Sequence, residues 1–469
     1  MKPTSPTVRP NARTHLEPER LDLVVRGGHL VTPDGIVEAE LGIARGKIVR
    51  LAPNVTDDTV NTLDASGSYV FPGIIDAHVH FNEPGRADLE GIASGSAALA
   101  AGGGTMFFDM PLHSEPPVLD AAALREKRRC AEEKSCTDFA LWGGLTPGNL
   151  DQLAGLRDAG AIGLKAFLCD NGTASFKNVD PGTLREGMKR AAKLGLPVAV
   201  HAEDGALVAR LAAEFKAEGR TDARAWLESR PVEAELAALR VALELAGETE
   251  CALHVVQVSS PEAVALIAEA REQRVDVTAE TCPHYLLLND KDFLRLGPLA
   301  KCAPPLRDEK RRKALWAGLR AGRIHTVGSD HSPARPEMKD SANLFAVWGG
   351  IAGVQHGFEL LFSACEKTVA RDLPMLAAVL ARNVARRFQI DDRKGLLVAG
   401  HDADFSLVEF GKARTICADE LWTRHRLSAY VGERSRAQVT HTYVRGTAVL
   451  ADGRLTNLPF AAKFLAPHR

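Results

Sequence analysis

The chain is poor in aromatic residues. Only 6% of its 469 residues are Phe, Trp or Tyr, and only four are tyrosine, which leaves little for the stacking platforms that bind single-stranded nucleic acid. Neither sign of charge is in excess. Lys+Arg 58 against Asp+Glu 60 gives a formal net charge of -2, so there is no basic footprint for nucleic acid or an anionic membrane. No apolar run approaches the roughly eighteen residues a membrane span requires. The opening MKPTSPTVRPNARTHLEPER lacks the apolar core of a signal peptide. Eight cysteines, at 130, 136, 169, 251, 282, 302, 365 and 417, include no C-x-x-C pair. In a chain this long they do not make a disulfide framework. These absences predict a soluble, cytoplasmic protein whose partner is a small molecule, with no nucleic acid and no membrane.

What is present is an ordinary globular balance, 45% hydrophobic and 25% charged. At roughly 100–200 residues per domain the length suggests two to four domains, although an α/β barrel uses about 250 residues in one. Residues 1–20 are polar and read as a flexible tail. Short alternating strands broken by turns occupy 21–70, for example LDLVVRGGHLVT followed by Pro33-Asp34-Gly35. The same texture returns over 391–469, so the two ends are expected to pair into one small β-sandwich. Between them, over 71–390, apolar strands at 71–77, 104–109, 138–145, 162–168, 197–201, 252–258, 275–279 and 324–329 alternate with helical stretches such as 120–134, 184–194, 232–247 and 260–271. That is the arithmetic of a (β/α)8 barrel, with a doubly wound open sheet as the rival. Gly102-Gly103-Gly104 precedes a strand and lacks a following Lys-Ser/Thr, so it reads as a tight turn rather than a phosphate loop.

The chemistry concentrates at predicted strand ends. In FPGIIDAHVHFNEPGR, His78 and His80 stand two apart, so on a strand both imidazoles project to one face. Alone, an H-x-H is equally met by two packed surface histidines. Lys165 lies inside the apolar run IGLKAFL, His201 closes LPVAVH and Asp330 closes IHTVGSD. On a barrel these four strand ends share one mouth, where a divalent cation would lower the pKa of water from ~15.7 toward ~7. A buried lysine with a depressed pKa can add carbon dioxide as a carbamate, an anion with two oxygens able to bridge two cations.

DAHVHFNEPGR, GLKAFLCDNG, HAED, TAETCPHYLLL, KCAPPLRD, GSDHSP and WGGIAGVQ, with LWTRHRLSAYVG near the end, resemble the cyclic-amide branch of the amidohydrolase superfamily, and within it the allantoinases. The resemblance runs from about Leu21 to the C-terminus. It implies a metal-dependent (β/α)8 barrel with a β-sandwich and one or two divalent ions, zinc by preference. It also implies a homotetramer that opens a cyclic ureide in purine breakdown. By position it makes His78, His80, carboxylated Lys165, His201 and Asp330 the metal ligands, with Asp330 also catalytic. The pattern L-H-x-x-H-x-S-S has its second histidine as a ligand, but this chain reads LHVVQVSS and has Gln257 there. His254, three residues earlier, should face away. A neutral amide oxygen is a weaker donor for such an ion, so the second metal is expected to be weak or absent.

Two differences separate related branches. Where dihydroorotases carry an arginine after H-x-H-F, this chain has Asn82, and where hydantoinases carry a tyrosine five residues after the lysine, it has Asp170. Both favour a neutral hydantoin such as allantoin over dihydroorotate or a dihydropyrimidine. Asn82, His113, Ala303 through its backbone and Gly350 are the substrate-binding candidates. His113 stands where the resemblance leads one to expect asparagine. Cys282-Pro283-His284-Tyr285 reads as structural. The missing histidine ligand leaves one alternative of another class, a non-catalytic assembly homologue.

Overall fold

The computed structural model describes residues 20–457 and 461–468. All but the last residue of the expected N-terminal tail lies outside them. The centre of the molecule is a ring of eight parallel strands, Ile74–Val79, Gly104–Asp109, Asp138–Leu141, Leu164–Phe167, Val198–His201, Leu253–Val256, Val277–Thr281 and Thr326–Val327. The first three pair in sequence, and Gly143–Gly144 carries the third onto the fourth. The fourth to eighth then follow in order. A parallel bridge from Val79 to His331 joins the last strand end to the first. The barrel reading therefore holds against the open sheet. Nearly every residue of these strands is buried, as expected when helices cover the outside and side chains fill the inside.

Local chemistry sets the helix starts. Helices Ala121–Lys134, Pro181–Leu194, Gly205–Ala217, Pro261–Glu272 and Glu309–Arg320 are preceded by Asp120, Asp180, Asp204, Ser260 and Asp308. Each of those side chains accepts the backbone N–H three residues on, a cap whose removal costs about 1 kcal/mol. The glycine run is a turn between helix Ile92–Ala101 and strand Gly104–Asp109, with Gly103 at φ 89°.

The first barrel strand begins later than the pattern suggests. Tyr69–Pro72 belongs to the flanking sheet, where it pairs with Phe405–Thr415. The chain changes sheets at Gly73, where a Cβ would lie 2.2 Å from Thr105 Oγ1. That seven-stranded sheet draws strands from both chain ends, His29–Thr32 and Gly35–Glu38 with Phe405–Thr415, Arg434–Val444, Thr447–Ala451 and Arg454–Leu455. A second sheet of four strands lies within 21–64. Leu23, Val25, Leu41 and Ile43 of the four-stranded sheet meet Leu30, Val70, Phe405 and Leu407 of the seven-stranded one in a common core. Lys394 fastens this β-rich part to the barrel. Its buried ammonium lies 2.7 Å from Asp138 on the third barrel strand, 3.1 Å from Asp402 and 2.6 Å from Asp404. No helix among the described residues is long and apolar enough to cross a membrane, and all eight cysteines are free.

Candidate metal centre and active site

The strand period does bring His78 and His80 to one side. His78 is the next-to-last residue of the first strand and His80 lies just past its end. Their Nε2 atoms stand 3.2 and 3.4 Å from the same oxygen, Asp330 Oδ1, delivered from beyond the eighth strand. The three ligand atoms form a compact buried group of the kind that holds a metal ion. Burial alone would push the Asp330 carboxyl up, but the charge of His78 and the hydrogen bond from His80 overcome it and hold it far below the usual carboxylate range. Burial pushes His80 down to about 4. Asp330 sits at φ 47° and Gln257 at φ 59°, a left-handed backbone that is uncommon without glycine and recurs at functional sites.

Lys165, on the fourth strand, is completely buried. Its ammonium lies over the Phe167 ring, 4.8 Å from the centroid, with no hydrogen-bond partner among the described residues. Burial pushes it down to about 8. A buried cation without a partner is a costly arrangement. It becomes intelligible if the amine is derivatised or if ligand oxygens belong beside it.

The other half of the constellation is closed differently. His201 Nδ1 donates to Gln257 Oε1 at 2.7 Å and His201 Nε2 to Glu203 Oε2 at 2.7 Å. Gln257 Nε2 in turn donates to Asp330 Oδ2 at 2.7 Å. Burial opposes charge on His201, yet Cys169 and Glu203 raise it to about 10, consistent with two N–H donors. Glu203 is anchored by Arg230 Nη1 at 2.6 Å. Gln257 is therefore an amide bridge between His201 and Asp330.

His254 turns away as the strand period requires, but it still acts on the site. Its Nε2 lies 3.3 Å from Glu280 Oε2, and Glu280 Oε1 accepts from His78 Nδ1 at 2.7 Å. Glu280 thereby fixes the ring of His78 with Nε2 facing Asp330, as carboxylates behind metal-binding histidines commonly do. The motif reading overlooked Glu280 and Glu203. The signal was available in TAET and HAED, where an acid stands at a strand end or two residues past a histidine. The CPHY segment also lies closer than its structural reading implied. Tyr285 is structural, donating to Pro304 O at 2.6 Å, but Cys282 and His284 group with Asp330, and both His284 nitrogens lack partners among the described residues.

His80, His201, Gln257 and Asp330 open into a cavity of about 780 Å³, within the usual range for small-molecule sites. His113, Ala303 and Gly350 line it too. The His113 ring is 4.8 Å from that of His80 and 5.0 Å from Trp348. Gly350, at φ 133°, has no room for a side chain, since a Cβ would lie 2.5 Å from Ser332. Asn82 is not in the lining. It is buried, and its amide atoms have no partner among the described residues.

The chain is similar to known proteins over nearly its whole length. It is 48% identical over 439 residues to a protein of Deinococcus radiodurans named allantoinase, covering 94% of this chain and 97% of that one. It is 46% identical to another of that name from Solibacter usitatus, covering 93% and 95%. Among solved structures, the L-hydantoinase (dihydropyrimidinase) from Arthrobacter aurescens superposes with a TM-score of 0.92 at 32% identity, covering 95% of this chain and 99% of that one. Residues 69–449 match the model of the amidohydrolase family, and the chain belongs to that family of enzymes.

Proposed function

We propose that the protein hydrolyses the hydantoin ring of allantoin to allantoate, a step of purine breakdown in the cytoplasm. The observation that carries this reading is the meeting of two imidazoles, an ionised carboxylate and an unpartnered buried lysine at a barrel mouth that opens into a cavity of small-molecule size. The shared name of relatives 46–48% identical over nearly the whole chain supports the substrate.

The donor set suits a divalent ion, zinc foremost, because imidazole nitrogens and carboxylate oxygens are its ordinary ligands. His78, His80 and Asp330 would hold it, with Lys165 as the N6-carboxylated form completing the set. When bound, the ion supplies a Lewis acid and lowers the pKa of water. The chain's own groups do the rest. Asp330, kept ionised by its neighbours, takes the proton of the attacking water and passes it to the departing ring nitrogen. Gln257 holds Asp330 Oδ2 and leaves Oδ1 toward the imidazoles. His113, whose charged form burial disfavours, offers the N–H of a neutral imidazole to a substrate carbonyl, and the Ala303 and Gly350 backbones complete the wall. Asn82, buried with both amide atoms unpartnered among the described residues, supplies a further amide contact to the ring.

The barrel over 71–390 carries this site, and 21–70 with 391–469 form the flanking β-sandwich domain. We assign a homotetramer on resemblance. Gln257 favours one metal per chain, and a chain with none would be the assembly homologue. Purified protein incubated with zinc, manganese or cobalt and with allantoin should yield allantoate in proportion to metal bound. Absence of both metal and turnover rejects the reading, and turnover of another cyclic amide alone rejects only the substrate.

A further inference from the structure

Away from Asp330, the cavity wall is cationic. Lys216, Arg230 and Lys301 all line it. Arg230 and Lys301 share one indole, lying 4.6 and 4.1 Å from the Trp226 centroid. Lys216 lies 5.1 Å from the Phe345 ring, itself set edge-on to Trp226 at 5.6 Å. The nearby negative charge is small. Glu203 pairs with Arg230 but shares its carboxylate with His201, and Asp170 is exposed, with Oδ1 accepting from Gly172 N at 2.9 Å. Arg230 and Lys301 are 9% and 4% exposed. Arg230 Nε has no hydrogen-bond partner among the described residues. Among them, the Lys301 ammonium donates only to Val347 O, at 2.6 Å, so two of its three N–H groups lack an acceptor. Burial, with the charges of Lys339 and Arg230, pushes Lys301 down to about 7, and an acceptor oxygen brought beside it favours the charged form with its three N–H groups. Desolvated cations with unused donors beside a cavity call for acceptor oxygens.

The position is also braced. Lys339 Nζ donates to the carbonyls of Pro298, Trp348 and Gly350 at 3.0, 2.9 and 2.7 Å, and Lys301 O accepts from Gly350 N at 2.7 Å. The Lys301 backbone is thereby held while its ammonium remains underused.

We infer that Arg230 and Lys301, seated on Trp226, form a subsite for the terminal acceptor oxygen of an arm carried by the substrate ring, either a ureido carbonyl or a carboxylate. This rests on the ring-hydrolase reading and narrows it. The preferred class is a hydantoin whose 5-substituent ends in such an oxygen, and the bare ring leaves the two cations without their acceptor. A site built for a polar group discriminates strongly against a substrate lacking it.

The test compares kcat/KM of the metal-loaded full chain for hydantoin, allantoin and hydantoin-5-acetic acid. Both arm-bearing rings, or the one whose oxygen fits, should exceed bare hydantoin by roughly tenfold or more. Allantoin ahead assigns the ureido carbonyl, and the acid ahead assigns the carboxylate. Lys301→Met should shrink that advantage toward one, and Lys301→Arg should restore it. Equal kcat/KM for bare and arm-bearing rings in the unmodified protein overturns the subsite without any variant. So does a folded Lys301→Met that keeps the full advantage. If no ring is turned over, the hydrolase reading fails separately. The subsite is then read from Tm, which hydantoin-5-acetic acid or allantoin should raise more than hydantoin does, and equal shifts overturn it.

Discussion

The two halves of the metal constellation differ in what their imidazoles are doing. On the side of the first and eighth strands, His78 Nε2 faces Asp330 Oδ1 at 3.2 Å without making a hydrogen bond, while its Nδ1 is held by Glu280. One nitrogen is fixed by a carboxylate and the other is left for a ligand. On the side of the fifth and sixth strands, both nitrogens of His201 are engaged, by Gln257 Oε1 and by Glu203 Oε2. An imidazole that donates at both nitrogens has no lone pair to offer a cation. The difference teaches that one substitution, glutamine where the related pattern has histidine, reaches further than a lost ligand. The amide engages His201 and Asp330 together, so a hydrogen-bonded bridge spans the second half. The first half keeps its donors free.

The strongest way to break this comparison is to remove the group both halves share. Asp330→Asn should lower turnover of allantoin by about a thousandfold, the scale of a lost general base, and Lys165→Ala should lose bound metal altogether. Metal content and initial rates check both, and a fully metallated Lys165→Ala would show that the lysine is no ligand. A smaller effect is expected from Glu280→Gln, which leaves His78 in place but loosens its orientation. Metal affinity should fall roughly 10–100-fold, as read by competition with a chelator. No change would mean that Glu280 only fills the barrel.

Gln257→His sharpens the contrast in the other direction. It removes the amide bridge and offers a nitrogen, so metal per chain should rise from one toward two and the rate should increase modestly. An unchanged metal count would show that the second half is closed by something other than Gln257. The smallest effect concerns pH. Burial would push the Glu203 carboxyl up, but Arg230 and His201 overcome this and hold it at about 2. The folded value is thus below the unfolded value of about 4.3. Its stabilisation is present above that value and is lost as pH falls toward about 2. Glu203→Gln should flatten this acid limb in unfolding monitored by circular dichroism, and a limb of unchanged steepness would assign it to other carboxylates.

Much of this architecture was legible from local pattern. Apolar runs of strand length alternating with helical stretches indicated the barrel, because each element's period is written in neighbouring residues. The first strand's start was missed. Phe71 and Pro72 are as apolar as Ile74 and Ile75, and only the close approach of Gly73 to Thr105 shows where the chain leaves one sheet for the other. The setting of Asn82 was not legible either, since proximity to His80 in sequence does not say that its side chain is buried with both amide atoms unpartnered among the described residues.

By itself the sequence determined the period-two spacing of His78 and His80, the apolar setting of Lys165, the capping residues and the glutamine at 257. These follow from covalent order and backbone geometry, which any fold must respect. Only the tertiary structure decided that Asp330 meets both imidazoles on one oxygen, that Glu280 links His254 to His78, and that Gln257 ties His201 to Asp330. It also decided that Arg230 and Lys301 share Trp226. Each of those contacts joins residues from different strands or loops, and closing the ring of strands is what sets the distances between them.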